Sequence, residues 1–545
     1  MADRRGSGLT RRGLLGRAGA LGAGAAGAAA LGAPRAARAQ PAGRLDGRNA
    51  LLIVTSSLRA DFLGVYDDND DRSETPNLDD LSSSSLRFEH AVPESMPAVS
   101  ARRALLTGQR SYPFRDWRPT EGYPARVGWN PIYDNQPTLT GVLSAAGVRT
   151  AYCTDNPFIV GPNFANFART VDDFRPDFSQ GAYREFNRPL GDSVSTAELS
   201  PFLFPSLAGT DAVERLRGHV AYNRRNRRGE DDYPAARVMS SGMRALEDLR
   251  ERQPFFLGVD TFDPGPPFDP PPSYLERFDG YDGEIDPILP FAYPFSRVDD
   301  VGLDARTVGR VRDLYAAKVT FVDRWIGRLL DKLDELDLLE STLVYLISDQ
   351  GIALGEQGLI GTTLDPGREE VYEVPHMIRD PGGRRGGDTS DYFAMTHDVA
   401  PTLLAHMGIT APGKMGGEDL TALFDDDPPT LARPHFTTAF EREILVGDHR
   451  WLLTADSRGN KKNLYDTDED DISEREEGEL REESEIANRL WLEAVDDAGG
   501  TMPLFGEQGA IRPPPERKED EDLDFDADDP EDLDAGDDDF KIPDG

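Results

Sequence analysis

"NALLIVTSSLRADFLG", residues 49–64, carries five apolar residues in succession, Ala50 to Val54, and then breaks into hydroxyls and charge. A continuous apolar run of this length fits a strand buried on both faces, and the hydroxyls place a loop at its carboxyl end. The same grammar recurs downstream. "TLTGVLSAAGVRTAYCTD" (138–155) reads as a helix, a glycine stop and a strand, and "PFFLGVDTFDPGPPFDPPP" (254–272) as a strand running into a proline-rich loop. In "LYAAKVTFVDRWIGRLLDKLDEL" (314–336), Val319, Val322, Ile326, Leu329, Leu330 and Leu333 fall on one helical stripe, and "STLVYLISDQG" (341–351) gives another buried strand. Strand and helix alternate, which predicts an α/β core with a mostly parallel central sheet flanked by helices over residues 46–407. Ligands of such sheets bind beyond the carboxyl ends of the strands, where Ser56, Gly265 and Asp349 lie on three separate segments. From about residue 408 the pattern changes. "EREILVGDHRWLLTADSRGNKKNLYDTDEDD" predicts a small antiparallel sheet with turns at Gly447 and Gly459, followed by a helix over 484–497, in a C-terminal subdomain spanning 408–505.

The 545-residue chain carries a formal charge of −39, with 99 acidic residues against 60 basic ones. Such a surface excludes nucleic acid and anionic lipid as general partners, because both demand basic patches. It suits a salt-rich source and an acidic exported protein alike. Cys153, the single cysteine, rules out an intramolecular disulfide and sits in an apolar run, so a buried inert thiol is expected. Residues 1–39 read as a twin-arginine export signal: "TRRGLLG" (10–16) precedes an Ala/Gly/Leu stretch, and "ARA" (37–39) offers a cleavage site. That reading places the protein outside the cytoplasm, in the periplasm, at the cell surface or in the medium. The signal carries a charge of +6, leaving −45 on the rest, and no later stretch reads as a transmembrane helix. Residues 506–545 form an acidic tail whose last thirty hold 16 acids and three bases, too little apolar content to fold alone; disorder is expected. It could recruit a cationic protein or serve only to solubilise.

Taken in order, these segments resemble the sulfatase family of the alkaline-phosphatase superfamily. "TSSLRAD" stands where the family has a metal-binding aspartate pattern, and "TPNLDDLSSSSLRFEHA" is similar to its T-P-N-L-D-x-L helix and following strand. "ESMPAVSARRALLTGQR" (94–110) resembles the nucleophile motif, "FDPGPPFDPP" a D-P-H-x-P-F loop, and "SDQGIALGEQGLIGT" the S-D-H-G segment with its later histidine and lysine. The resemblance implies an alkaline-phosphatase-like core and ester-hydrolase ancestry. It also puts Ala98 at the nucleophile position and keeps Arg102. Gly265 then stands for a histidine, Gln350 and Gln357 for two more, Thr362 for the lysine, and Ser56 and Ser57 for acidic metal ligands beside Asp349.

Cleaving a sulfate or phosphate ester takes a nucleophile, a cation that neutralises the ester oxygens, and groups that carry protons. A methyl group at Ala98 is no nucleophile. Calcium, the family-type ion, prefers six to eight oxygens, several of them charged; two seryl hydroxyls, one amide and one carboxylate are a poor set. No tightly held cofactor is therefore expected, and calcium would enter only if this depleted set still bound it. Gln350, Gln357, Gly265 and Thr362 carry no titrating proton near neutrality, and Arg102 is expected to pair with Asp349 or a neighbour. The resulting expectation is a catalytically inactive sulfatase-like protein that binds a sulfated or neutral glycan or a partner. The alternative is an active hydrolase using Ser100 or Ser95.

Overall fold

The computed structural model describes residues 48–66, 73–120, 125–161, 164–180, 194–203, 212–278, 288, 296–300, 302–361, 369–425, 433–467, 484–505 and 511–512. The export signal, Thr362 and the acidic tail apart from 511–512 lie outside these residues. Eight strands form the central sheet: β1 (Asn49–Ser56), β2 (Leu86–Phe88), β3 (Arg149–Thr154), β4 (Asp173–Pro176), β5 (Phe255–Pro264), β6 (Thr342–Ser348), β7 (His376–Arg379) and β8 (Thr389–Ser390). Their order across the sheet is β8-β2-β7-β6-β1-β5-β3-β4. The five strands from β6 to β4 run parallel, and β7 alone is antiparallel to both its neighbours. The sheet is mostly parallel, as the alternation predicts.

β1 is buried throughout, and its side chains divide by the two-residue period of a strand. Leu51 and Ile53 face a layer built from α1 (Pro76–Ser83), α4 (Pro234–Leu249) and α5 (Ala305–Glu335). Ala50, Leu52 and Val54 face the other layer, built from α2 (Ala98–Thr107), α3 (Leu139–Ala146) and α6 (Val399–His406). The helices start and stop where their sequences direct. Thr138 accepts a hydrogen bond from the Gly141 amide at the start of α3, and Gly147 ends that helix at φ 93°. Asp304 likewise caps α5 through the Thr307 amide. The predicted stripe of α5 is buried at Val319, Val322, Ile326, Leu329, Leu330 and Leu333; each such side chain contributes about 1.5–3 kcal/mol by leaving water.

A second sheet follows, antiparallel and four-stranded, of β9 (Phe436–Phe440), β10 (Glu443–Gly447), β11 (Trp451–Asp456) and β12 (Asn463–Asp466). One face packs on α7 (Ser484–Asp497), with Val446 and Leu453 against Leu490 and Ala494. The other face sets Phe436, Leu445 and Leu452 against Val92, Met96, Phe393 and Met395 of the core. Beyond packing there is a backbone link: the Met96 amide donates to the Ala439 carbonyl at 2.8 Å, making a parallel bridge between Met96 and Phe440. Among the described residues no helix is long and apolar enough to cross a membrane.

Candidate functional site

The carboxyl ends of β1, β5 and β6 meet at one place, and a register shift between Val54 and Ser56 sets Ser56 opposite Pro264 of β5. The chain then turns at Ser57, held at φ 58°. Asp349, just past β6, ties the turn down: its Oδ1 accepts from the Ser57 amide at 3.0 Å and its Oδ2 from the Ser56 hydroxyl at 2.8 Å. The next amide, Leu58, donates to the Ser348 hydroxyl at 3.0 Å, and that hydroxyl in turn donates to the Gln350 carbonyl at 3.1 Å. The sequence-predicted residues Ser56, Ser57, Asp349 and Gln350 are thus gathered at one end of the sheet, and all are buried.

Arg102 reaches them from α2, a helix with every residue from Ala98 to Thr107 buried. Its Nη1 donates to Asp349 Oδ2. Its Nη2 donates to Asp260 Oδ1 at 2.7 Å, and Nε lies 3.1 and 3.0 Å from the two Asp260 oxygens. Arg102, Asp260 and Asp349 are each fully excluded from solvent. The Tyr152 hydroxyl donates to Asp260 Oδ2 at 3.0 Å. Burial works against the guanidinium's charge, but Asp260 and then Asp349 outweigh it, so its pKa is raised and it stays protonated. Burial pushes the Asp349 carboxyl above its ordinary range, against the pull of Arg102 and the hydrogen bonds from Ser57 and Ser56. One guanidinium between two carboxylates leaves a formal charge of −1, spread over hydroxyl and amide donors.

Asp349 is therefore not the only carboxylate at the site, as the sequence reading had it. Asp260 shares Arg102, and the visible signal was an acidic residue inside the otherwise apolar strand "FFLGVDTF". Lys318 was missed as well. It sits on the buried face of α5 and spends its three protons on the loop after β5: the Gly265 carbonyl at 2.6 Å, the Pro267 carbonyl at 2.8 Å and Asp263 at 2.7 Å. Gly265 has a steric reason to be glycine, since a Cβ there would stand 2.7 Å from the Phe262 carbonyl oxygen and 3.4 Å from that of Ser56. Gln357 is half-buried in a short 3-10 turn at φ 48°, next to Glu356, whose carboxylate is held by Arg59 at 2.8 Å.

Ala98 is the first residue of α2, 5% exposed, and belongs to the apolar core beneath that helix. Neither candidate hydroxyl replaces it. Ser100 is buried and donates back to the Pro97 carbonyl at 2.9 Å, while Ser95 is buried and donates to Glu94 at 2.8 Å. Glu94 also accepts from the Ser111 amide at 2.9 Å and the Tyr112 amide at 3.0 Å, so one carboxylate clamps both ends of the α2 segment. Cys153 is buried, and burial lifts its thiol to about 11, which fits the inert role expected of it.

The donor set decides whether a divalent ion fits. Asp349 and Asp260 are the carboxylates at this end of the sheet that Arg102 joins, and their oxygens already accept from Ser56, Ser57, Tyr152 and the guanidinium itself. A dication would have to displace a buried, tightly paired organic cation. Among the described residues, moreover, no cluster of three or more His, Cys, Asp or Glu is arranged to hold a metal. These residues do not fit calcium.

A mostly parallel sheet between two helical layers, with its polar centre beyond the strand ends and an accessory antiparallel sheet behind the nucleophile-position helix, defines an alkaline-phosphatase-superfamily scaffold. The profile of the sulfatase family matches residues 48–409, and the chain belongs to that family. It is 25% identical over 433 residues to an arylsulfatase of Clostridium perfringens, covering 74% of this chain and 81% of that one. It is also 26% identical over 437 residues to the multifunctional alkaline phosphatase superfamily protein PehA of Trinickia caryophylli, covering 72% and 80%. Among solved structures, a phosphonate monoester hydrolase of Agrobacterium radiobacter superposes with a TM-score of 0.63 at 18% identity, covering 86% of this chain and 100% of the other. A structure in complex with its substrate, D-glucosamine-2-N,6-O-disulfate, superposes with a TM-score of 0.59 at 17% identity, covering 83% and 98%.

Proposed function

We propose that this sulfatase-family protein has exchanged ester cleavage for binding, and that its ligand is a sulfated or neutral glycan. One observation carries the reading: Arg102 lies between Asp260 and Asp349, so the carboxylate that the resemblance assigns to a metal is spent on a guanidinium. Ala98 at the head of α2 supplies no nucleophile, and among the described residues no histidine hydrogen-bonds to Arg102, Asp260 or Asp349. Lys318, the other buried cation nearby, has its protons on protein acceptors. Both cations thus serve the scaffold. The glycan class is supported by the sulfated-sugar substrate of the structural neighbour described above. Export through the twin-arginine signal and a solubilising acidic tail belong to the same proposal. The test is direct: purified protein is assayed for metal by mass spectrometry and for turnover of aryl sulfate and aryl phosphate. Substoichiometric metal and background turnover are expected. Stoichiometric calcium with turnover above background would overturn the reading.

The alternative, hydrolysis through Ser100 or Ser95, has one contact in its favour, the Ser95 hydroxyl donating to Glu94. Both are fully buried, and Glu94 is already occupied by two backbone amides. Turnover that vanishes in Ser95→Ala or Ser100→Ala would restore this alternative.

A further inference from the structure

On α4 the stretch "RVMSSGMR" (237–244) places Arg237, Ser240, Ser241 and Arg244 at i, i+3, i+4 and i+7, one continuous polar stripe. The intervening Val238, Met239 and Gly242 are buried against the sheet. In a chain with 99 acidic residues and 60 basic ones, this stripe contains no acid. It forms one wall of a cleft of about 350 Å³, within the range that holds small ligands. Arg175, Pro176 and Asp177, at the end of edge strand β4, form the other wall, and Asp231 closes one side.

The arginines differ in what they have left to give. Arg175 is committed, donating to Asp173, to Asp248 and to the Ser241 carbonyl. Arg237, with its side chain 48% exposed, gives only Nε to Asp177 at 2.7 Å, leaving both Nη groups. Arg244 is exposed and pairs with no carboxylate among the described residues. Asp231 faces Arg328 of α5 at 3.7 Å. The Ser241 hydroxyl is engaged with the buried Cys153 thiol, so the stripe offers two guanidinium edges with the Ser240 hydroxyl between them. That set suits a tetrahedral oxyanion, which arginine binds through paired, charge-assisted hydrogen bonds. The cleft is wider than the anion alone.

We propose that the Arg237–Ser240–Arg244 face of α4 binds the sulfate or phosphate group of a small sugar ester, with the sugar resting against the end of β4. The site stands apart from the Arg102 centre and holds whether or not that centre hydrolyses anything.

The test uses isothermal titration of the full chain with glucose 6-sulfate, glucose 6-phosphate and glucose. Saturable binding of at least one ester and none of glucose is expected, and the ester bound more tightly identifies the source of the oxyanion. Arg244→Gln, which breaks no ion pair among the described residues, should weaken binding at least about tenfold, and adding Arg237→Gln should abolish it. An unchanged urea midpoint in Arg244→Gln shows that the fold is intact. Absence of saturation by both esters at about 10 mM, equal binding of glucose, or unaltered affinity in the double variant would each overturn the proposal.

Discussion

Replacing Arg102 by alanine would leave Asp260 and Asp349 facing each other with no cation between them. The guanidinium holds three of their four oxygens or lies within 3.1 Å of them, and all three side chains are at zero exposure. At an effective dielectric constant of about 20, opposite unit charges about 3 Å apart attract by roughly 5 kcal/mol. Desolvation offsets much of that in the intact site. Deleting one partner of a buried ion pair nevertheless costs about 3–5 kcal/mol, because the orphaned charge stays buried, and here two are orphaned. Urea denaturation measures the loss without adding a competing guanidinium. The emptied space is bounded by two carboxylates and the Ser56 hydroxyl, so calcium should stabilise Arg102→Ala and not the parent, by about 2.7 kcal/mol at 100-fold excess over its dissociation constant. Neutralising both acids as well, in Arg102→Met/Asp260→Asn/Asp349→Asn, should recover most of the stability. Two results refute the reasoning: Arg102→Ala within about 1 kcal/mol of the parent, or an equal response of parent and variant to calcium.

Three further outcomes follow from the same geometry. Ala98→Ser and Ala98→Cys should leave aryl-sulfate turnover within about tenfold of the parent, because a hydroxyl or thiol alone supplies neither a cation nor a proton carrier; a gain above a thousandfold would show that only the nucleophile was missing. Gly265→Ala should lower stability by about 1–3 kcal/mol in urea, since its Cβ meets the Phe262 carbonyl at 2.7 Å and backbone must move; no loss would mean that the loop is free to shift. Burial lowers His219 and His406 from 6.5 to about 4, and His376 and His397 to about 3. Their folded values are depressed, so the stability they contribute is present above pH 6.5 and is lost as pH falls toward 4 and then 3. Each adds about 1.4 kcal/mol per pH unit to the slope. Buried carboxyls act in the opposite sense, Asp323 being pushed up to about 7 by its burial, so the readout is a difference. Between pH 7 and 5 the unfolding free energy of His376→Phe should lose less on acidification than that of the parent, and an identical slope in that variant would remove His376 from the account.

Much of the scaffold was legible because its elements carry strong periodic or continuous apolar patterns. β1, β5 and β6 are apolar runs, α5 has its stripe, and the glycine stop of α3 stands at Gly147. β7 was not legible as an antiparallel insertion, since four residues, His376–Arg379, carry no mark of strand direction and only pairing with β2 and β6 sets it. At the site, the gathering of Ser56, Ser57, Asp349 and Arg102 followed from the resemblance. Asp260 and Lys318 did not, because a charge inside an apolar strand or helix announces burial without naming its partner, and those partners lie 158 and 53 residues away in the chain.

The bridge from Met96 to Phe440 gives the accessory sheet an unexpected fifth member, since the lead-in to α2 continues it on the β9 side. A chain cut near residue 410 would keep the whole central sheet yet lose the rail on which Met96 and Pro97 are laid, and would bare Val92, Met96 and Met395 to water. The residues beyond that cut, β9 (Phe436–Phe440) above all, are thus part of what seats Arg102 between its acids. Halves swapped between relatives at that seam should fail unless both come from the same parent.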